Sequence, residues 1–527
     1  MWEQALGLAG DYDPTHVVTA EESSKILSLT TLVITGIGAD DVDSCGLDKL
    51  VGLENLGIAL SDQAGEANLT LPGNLPNLAY LEVAPSGPTT SLAFDPNGFS
   101  GHMTLSGNFW KSNLASFEIG AGSLSRLDIY EVPTLETLDL SESTTISRLG
   151  ITNCESLVNM NLSGKGIERL KLQSVSPEFR LDLNGCEELT RLSLFSCNLT
   201  GVDFSQAPNL TLLNLEFVTG LTDLDLTAQH DLTEISVRWS GYTENGVDQT
   251  IALKKVEFAD DAPLKEVTLS NGALTELTLP TASLSVIERL DVSSNKITSI
   301  DVPNTDTLDT LDVAGNELSE LTIPEKARTS LSNLYVFDNH LRDLDLSGMN
   351  LDWYVEASGL DGIGQTIELT GQEQAGGSVV VSLSDQLGHI SSLSSNTGSY
   401  DKGAGTLTYR SAADAKADKI AFEVDTHGTV ERDGANEPAL LPGTATIETE
   451  PYEATPVGPD GQGDGTENAG ENEAPDAGAS EPTDDSATLA KTSDAETPAA
   501  LAVLISAILA ASTALAGALR IRIRKTH

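Results

Sequence analysis

Between Leu290 and Ile323 the apolar positions repeat one short pattern, LxxLxL: Ile287, Leu290 and Val292, then Ile297, Ile300 and Val302, then Leu308, Leu311 and Val313, then Leu318, Leu321 and Ile323. Upstream, the fourth apolar position recurs at Leu127, Leu138, Leu149, Met160, Leu170, Leu181, Leu192, Val202, Leu213, Leu224 and Ile235. Two half-repeats make one turn of about 21 residues, the period of a leucine-rich-repeat solenoid. Both halves are strand-like, so each turn should lay one short parallel strand on each side of the coil. The leucines then pack between two parallel sheets, each turn rising about 4.8 Å. Alternation within a strand turns the residues between the leucines outward. The predicted fold class is α/β to mainly β.

The flanks differ from this rhythm. Residues 1–28 read as a partial N-terminal cap, in which Thr19 can cap a short helix with Glu21 and Glu22 favoured near its positive end. The solenoid is predicted over 29–349, opening with runs at Leu29, Leu32 and Ile34 and at Leu53, Leu56 and Ile58, about 24 residues apart. After Val237 the rhythm skips, and one half-repeat reads as replaced by the insertion Arg238 to Thr250. Trp239 and Tyr242 within it are either binding anchors or plugs for the gap left by a missing strand. Past Met349 come the strand-like runs QTIELT, SVVVSL, GTLTYR, KIAFEV and TATIET, which predict a small β-sandwich over 350–450 that caps the last turn.

The C-terminal part is of another kind. Residues 451–488 hold Pro, Gly, Ala, Asp and Glu but no Lys or Arg, and read as a disordered acidic linker. Residues 498–519 carry no charge and are long enough for one transmembrane helix, and the basic tail 520–527 places itself in the cytoplasm by the positive-inside rule. Export of the repeats needs a signal peptide, whereas Met1 to Gly10 has no charged start or long apolar run. The recorded start therefore reads as internal, with the signal peptide missing.

Two stretches resemble known families. The VTAE turn at Val18 to Glu21, followed by the leucine repeats, resembles internalin-like bacterial surface leucine-rich-repeat proteins. That resemblance implies an extracellular protein built for contact, with an immunoglobulin-like module behind the repeats. The pentapeptide Leu489, Ala490, Lys491, Thr492 and Ser493, ahead of the apolar segment and basic tail, resembles an LPxTG-type cell-wall sorting signal in which Ala490 replaces proline and Ser493 replaces glycine. It implies sortase cleavage after Thr492 and attachment to the peptidoglycan of a Gram-positive bacterium. An ordinary stop-transfer helix is the alternative.

The net charge of −50 argues against nucleic acid, whose binding needs a dense basic face. No nucleophile, metal-ligand or phosphate-loop motif is present, and no enzyme and no cofactor are expected. Three of the four cysteines, Cys154, Cys186 and Cys197, occupy the repeat position where Asn295, Asn316 and Asn339 stand in later turns. Asparagine there can bond the backbones of adjacent turns, whereas cysteine fills the site as a small buried group. Cys154 and Cys197 are two turns apart and Cys186 is on the other side, so buried free thiols are predicted. Outward Asp139, Asp182, Asp203 and Asp225, like Asp291, Asp301 and Asp312, read as solvated repeat consensus.

One irregularity stands out. Arg126, Arg148, Arg169 and Arg191 hold the same outward position in four successive turns, with Lys171 two residues along. The stripe is either an anion site, since guanidinium forks suit carboxylates and sulfates, or a set of partners for acids on adjacent loops. The expected function is bacterial cell-surface protein or glycan binding and adhesion, with an extracellular protein or anionic glycan as partner. The alternative is a structural envelope or biofilm component.

Overall fold

The computed structural model describes residues 19–42, 47–61, 65–85, 87–107, 112–238, 243–244, 247–248, 253–355, 364–432 and 434–452. The linker from 453 on, the sorting-like pentapeptide, the apolar segment, the basic tail, Trp239 and Tyr242 lie outside them. Among the described residues no helix is long and apolar enough to cross a membrane.

A short helix, Ala20–Leu27, follows Thr19 and leads into a 15-stranded parallel sheet that runs from Thr31–Ile37 to Trp353–Val355. The ladder matches leucine to leucine: Leu32 faces Leu56, and Leu127, Leu149, Leu170 and Leu192 stand side by side. These leucines are all buried, so the repeat pattern and the core are one object. Each strand interior alternates buried and outward residues, as in Leu212–Glu216 and Arg191–Phe195. At the ends of nine of these strands the chain turns through a left-handed residue: Glu131, Asn153, Ser174, Ser196, Phe217, Asn271, Ser294, Gly315 and Asp338 have positive φ. Only Gly315 meets that conformation without steric cost.

The second sheet is less complete than expected. Five strands, from Gly65–Thr70 to Asn159–Met160, form it, so it begins earlier than the recurrence from Leu127 implies. Beyond Met160, Asp223–Leu226 pairs with Lys255–Phe258, while Leu181, Leu321 and Leu344 are buried outside any strand. The outward aspartates explain the shortness. Asp139, Asp182, Asp203 and Asp225 each accept a bond from the backbone N–H two residues on, at 2.8 to 3.0 Å. Such turns fold the chain away after two or three extended residues.

No strand is missing at the insertion. Glu234–Arg238 pairs in register with Glu266–Ser270 across the break, and the other side spans it through Asp223–Leu226 and Lys255–Phe258. Here residue count misleads: the strands on both sides pair across the break with no half-repeat lost. A two-strand antiparallel hairpin, Thr243–Glu244 with Val247–Asp248, forms within the added chain.

All five strands expected after Met349 form, and they join an 8-stranded mixed sheet along one hydrogen-bonded path, with the helix Ala412–Ala417 inserted. The sheet closes the solenoid. Leu346 N–H donates to Thr426 O at 2.8 Å and Thr429 N–H to Met349 O at 3.1 Å.

An asparagine ladder runs through the last turns to this junction. Asn295 Oδ1 accepts from Leu274 N–H, Asn316 Oδ1 from Ile297 N–H and Asn339 Oδ1 from Leu318 N–H, at 3.0 to 3.1 Å. Their amide groups donate to backbone carbonyls of their own and the preceding turn. Gln365, fully buried, continues the series: Oε1 accepts from Leu341 N–H at 3.0 Å and Nε2 donates to Val336 O at 2.8 Å. The ladder hands over from solenoid to cap there. In earlier turns the position is apolar, with Cys154 in register with Val175, and Cys154, Cys186 and Cys197 buried as free thiols.

Candidate functional site

The arginine stripe lies on the outer face of the long sheet, in the strands Arg126–Tyr130, Arg148–Cys154, Arg169–Val175 and Arg191–Phe195. Arg148 faces Arg169 and Arg169 faces Arg191 in the ladder, so parallel pairing brings together side chains that are some twenty residues apart in the chain. All four arginines, with Lys171, line a groove of about 340 Å³. Leu149, Leu170, Gly150 and Ser193 also line it, along with Tyr130 toward one end and Leu212 toward the other.

The Arg126 end is internally neutralised. Arg126 Nε lies 2.5 Å from Asp128 Oδ2, and His102 Nε2 reaches the same oxygen at 2.6 Å. Burial opposes the charge on Arg126, but the bond to Asp128 and its negative charge outweigh it and hold the guanidinium above its ordinary pKa. Burial, and next the charge of Asp128, push the Tyr130 phenol up as well. Tyr80 packs edge-on against His102 with ring centroids 5.1 Å apart. Gly150 makes room for the buried acid: a Cβ there would sit 2.5 Å from Asp128 Oδ1.

Farther along, the stripe has no counter-charge. Among the described residues Arg148, Arg169, Arg191 and Lys171 make no ion pair and no side-chain hydrogen bond, and all four are exposed. Among the described residues no acid on an adjacent loop pairs with the stripe; its one acidic partner, Asp128, stands on Arg126's own strand. Neighbouring guanidiniums about 5 Å apart repel by roughly 0.8 kcal/mol per pair even with the dielectric of bulk water. An anion laid across them would relieve that cost and gain charge-assisted bonds.

A second outward cluster corrects the sequence reading. Asp291 and Asp312 are neighbours in register, Asp291 is 7% exposed and Asp312 half-buried, so they are not solvated. Burial and the facing charge of Asp291 push Asp312 up to about 7, and Arg289, 3.9 Å from Asp291, offsets only part of this. Alternation points them outward, but the taller Arg289 and Tyr335 beside them restrict water. Among the described residues no group of three or more potential metal ligands occurs.

By sequence the chain matches no protein family and no curated protein. Solved structures match it at low identity and with TM-scores below 0.5. The functional domain of InlJ from Listeria monocytogenes, described as including a cysteine ladder, is 19% identical with a TM-score of 0.46, over 82% of this chain and 92% of that one. A leucine-rich-repeat protein of Leptospira interrogans is 16% identical with a TM-score of 0.31, over 64% of this chain and 93% of that one. An internalin, InlF of Listeria monocytogenes, is 17% identical with a TM-score of 0.27, over 68% of this chain and 94% of that one.

Proposed function

We propose that this chain is a bacterial cell-surface binding protein whose solenoid engages an anionic extracellular partner through the groove between Arg126 and Arg191. The observation that carries this reading is the row of three in-register, exposed guanidiniums without ion-pair partners among the described residues, in a chain of net charge −50. The guanidiniums of the row repel one another, and a ligand of opposite charge would relieve that repulsion. In this reading the C-terminal sheet acts as an immunoglobulin-like spacer module and the acidic linker holds the solenoid off the envelope. The pentapeptide Leu489 to Ser493 is cut by sortase after Thr492, supported by the order of motif, apolar segment and basic tail.

Retention of the full chain on heparin-agarose and on immobilised polyglutamate, at low and high salt, tests the reading. Retention on at least one matrix that salt abolishes, and that Arg148→Glu with Arg169→Glu abolishes, is expected. Passage of the unaltered chain through both columns, or equal retention of the variant, would overturn it. For anchoring, a Thr492→Ala chain should leave the peptidoglycan fraction.

A further inference from the structure

Resting on that reading, we propose that the groove takes a slender acidic oligosaccharide laid along the solenoid axis, its sulfate or carboxylate groups on Arg148, Arg169 and Arg191 and a sugar ring against Tyr130.

The size of the basic island argues first. From Arg126 to Arg191 it spans three strand intervals, about 14 Å. Beyond it on the same face stand acids: Glu216 and Glu234 in the next two strands, and Glu82 on the other flank. A globular partner covers about 800 Å² a side, so an acidic protein centred on the stripe would also sit on these carboxylates. A partner that covers these carboxylates brings its own acids into contact with them, at separations that salt screens little. A chain one sugar wide touches the island and clears its acidic border. The groove of about 340 Å³ is of small-ligand size.

The lining argues next for a sugar over a short acidic peptide. Thr152 and Ser193 present hydroxyls that have no hydrogen-bond partner among the described residues, and both line the groove. Free hydroxyls beside cations match a ligand that carries hydroxyls beside acids. The half-buried Tyr130 ring offers an apolar face to a ring flank. A peptide's own amides, by contrast, would find no open strand edge here, because every strand of the island is paired on both sides.

The test is calorimetric titration of the full chain with four probes: a heparin-derived tetrasaccharide, tetragalacturonate, tetraglutamate and inorganic sulfate. At least one of the two sugars should bind saturably, at least about tenfold tighter than tetraglutamate and sulfate. The sulfated and carboxylate sugars tell the two acid chemistries apart. Arg148→Gln with Arg169→Gln should weaken that sugar about 100-fold, one decade for each charge-assisted contact, with the far-ultraviolet dichroism unchanged. Tyr130→Leu should weaken the sugar severalfold and leave sulfate unaffected. Tetraglutamate binding as tightly as either sugar would overturn the sugar assignment and leave the anion-binding reading standing. Sulfate binding as tightly as the sugars, or a sugar affinity unmoved in both variants, would also overturn it. Failure of all four probes would remove both readings.

Discussion

Replacing Asn316 by valine separates what the asparagine ladder contributes from what its packing contributes. The side chain is buried and spans two turns: Oδ1 accepts from Ile297 N–H at 3.0 Å, and Nδ2 donates to Val292 O and Val313 O, each at 3.0 Å. Those carbonyls are shared. Val292 O also accepts from Asn295 and Val313 O from Asn339, so both keep a partner in the variant. Ile297 N–H has no substitute acceptor and is left buried and unpaired, at about 1 to 3 kcal/mol. Adding the net loss of the two donated bonds and subtracting the gain from an apolar side chain gives about 3 kcal/mol. The same change at Cys154 removes two weak sulfur contacts, Sγ–H to Thr152 O at 3.7 Å and Val132 N–H to the sulfur, and should cost only about 1 kcal/mol, well below the asparagine. Because each repeat packs only on its neighbours, the loss should appear locally. Native-state hydrogen exchange over 290–340 should speed up about 100-fold in Asn316→Val and little over 149–175 in Cys154→Val. Equal acceleration in both variants would refute the reasoning, since it would make the position one of packing alone.

Three further outcomes follow from burial and charge. Burial pushes Cys154 and Cys197 up to about 12 and Cys186 up to about 11, so in a Cys45→Ser background thiol labelling at pH 8 should be at least about 100-fold slower in the native chain than in denaturant. Asp312, pushed up to about 7, keeps a proton in the folded state that the unfolded chain has released near pH 4, so stability should fall as pH rises between about 4 and 7. Asp312→Asn should remove that slope and raise the melting temperature at pH 8 by at least about 2 °C, and an unchanged slope in pH-dependent melting would count against the burial argument. Tyr409 is buried in the C-terminal sheet and donates its hydroxyl to Asp418 Oδ2 at 2.9 Å, so Tyr409→Phe should cost about 1 to 2 kcal/mol by denaturant titration.

The leucine ladder and the arginine register were legible because both depend only on spacing: residues one repeat apart become strand neighbours. The five strands after Met349 were legible from alternation. Spacing does not say how a turn is completed. It cannot show that the chain between Arg238 and Lys255 is an enlarged connection, or that Asp182 and Asp203 end their half-repeats early by bonding their own backbone. Nor does it give the height of neighbouring side chains, which is why Asp291 and Asp312 looked solvated. Within the site, the charge of Asp128 beside Arg126 was visible, but the sharing of one oxygen with His102, 26 residues upstream, depends on how two turns stack. Gln365 as the end of the asparagine series was hidden for a plainer reason: it is a different residue, past the last regular repeat.

The most direct measurement of the account is a crystal structure of the chain soaked with the heparin-derived tetrasaccharide. The account predicts density in the groove with acidic groups bridging Arg148, Arg169 and Arg191 and a sugar ring on Tyr130. An empty groove, or the sugar bound on another face while the groove stays open, would contradict it.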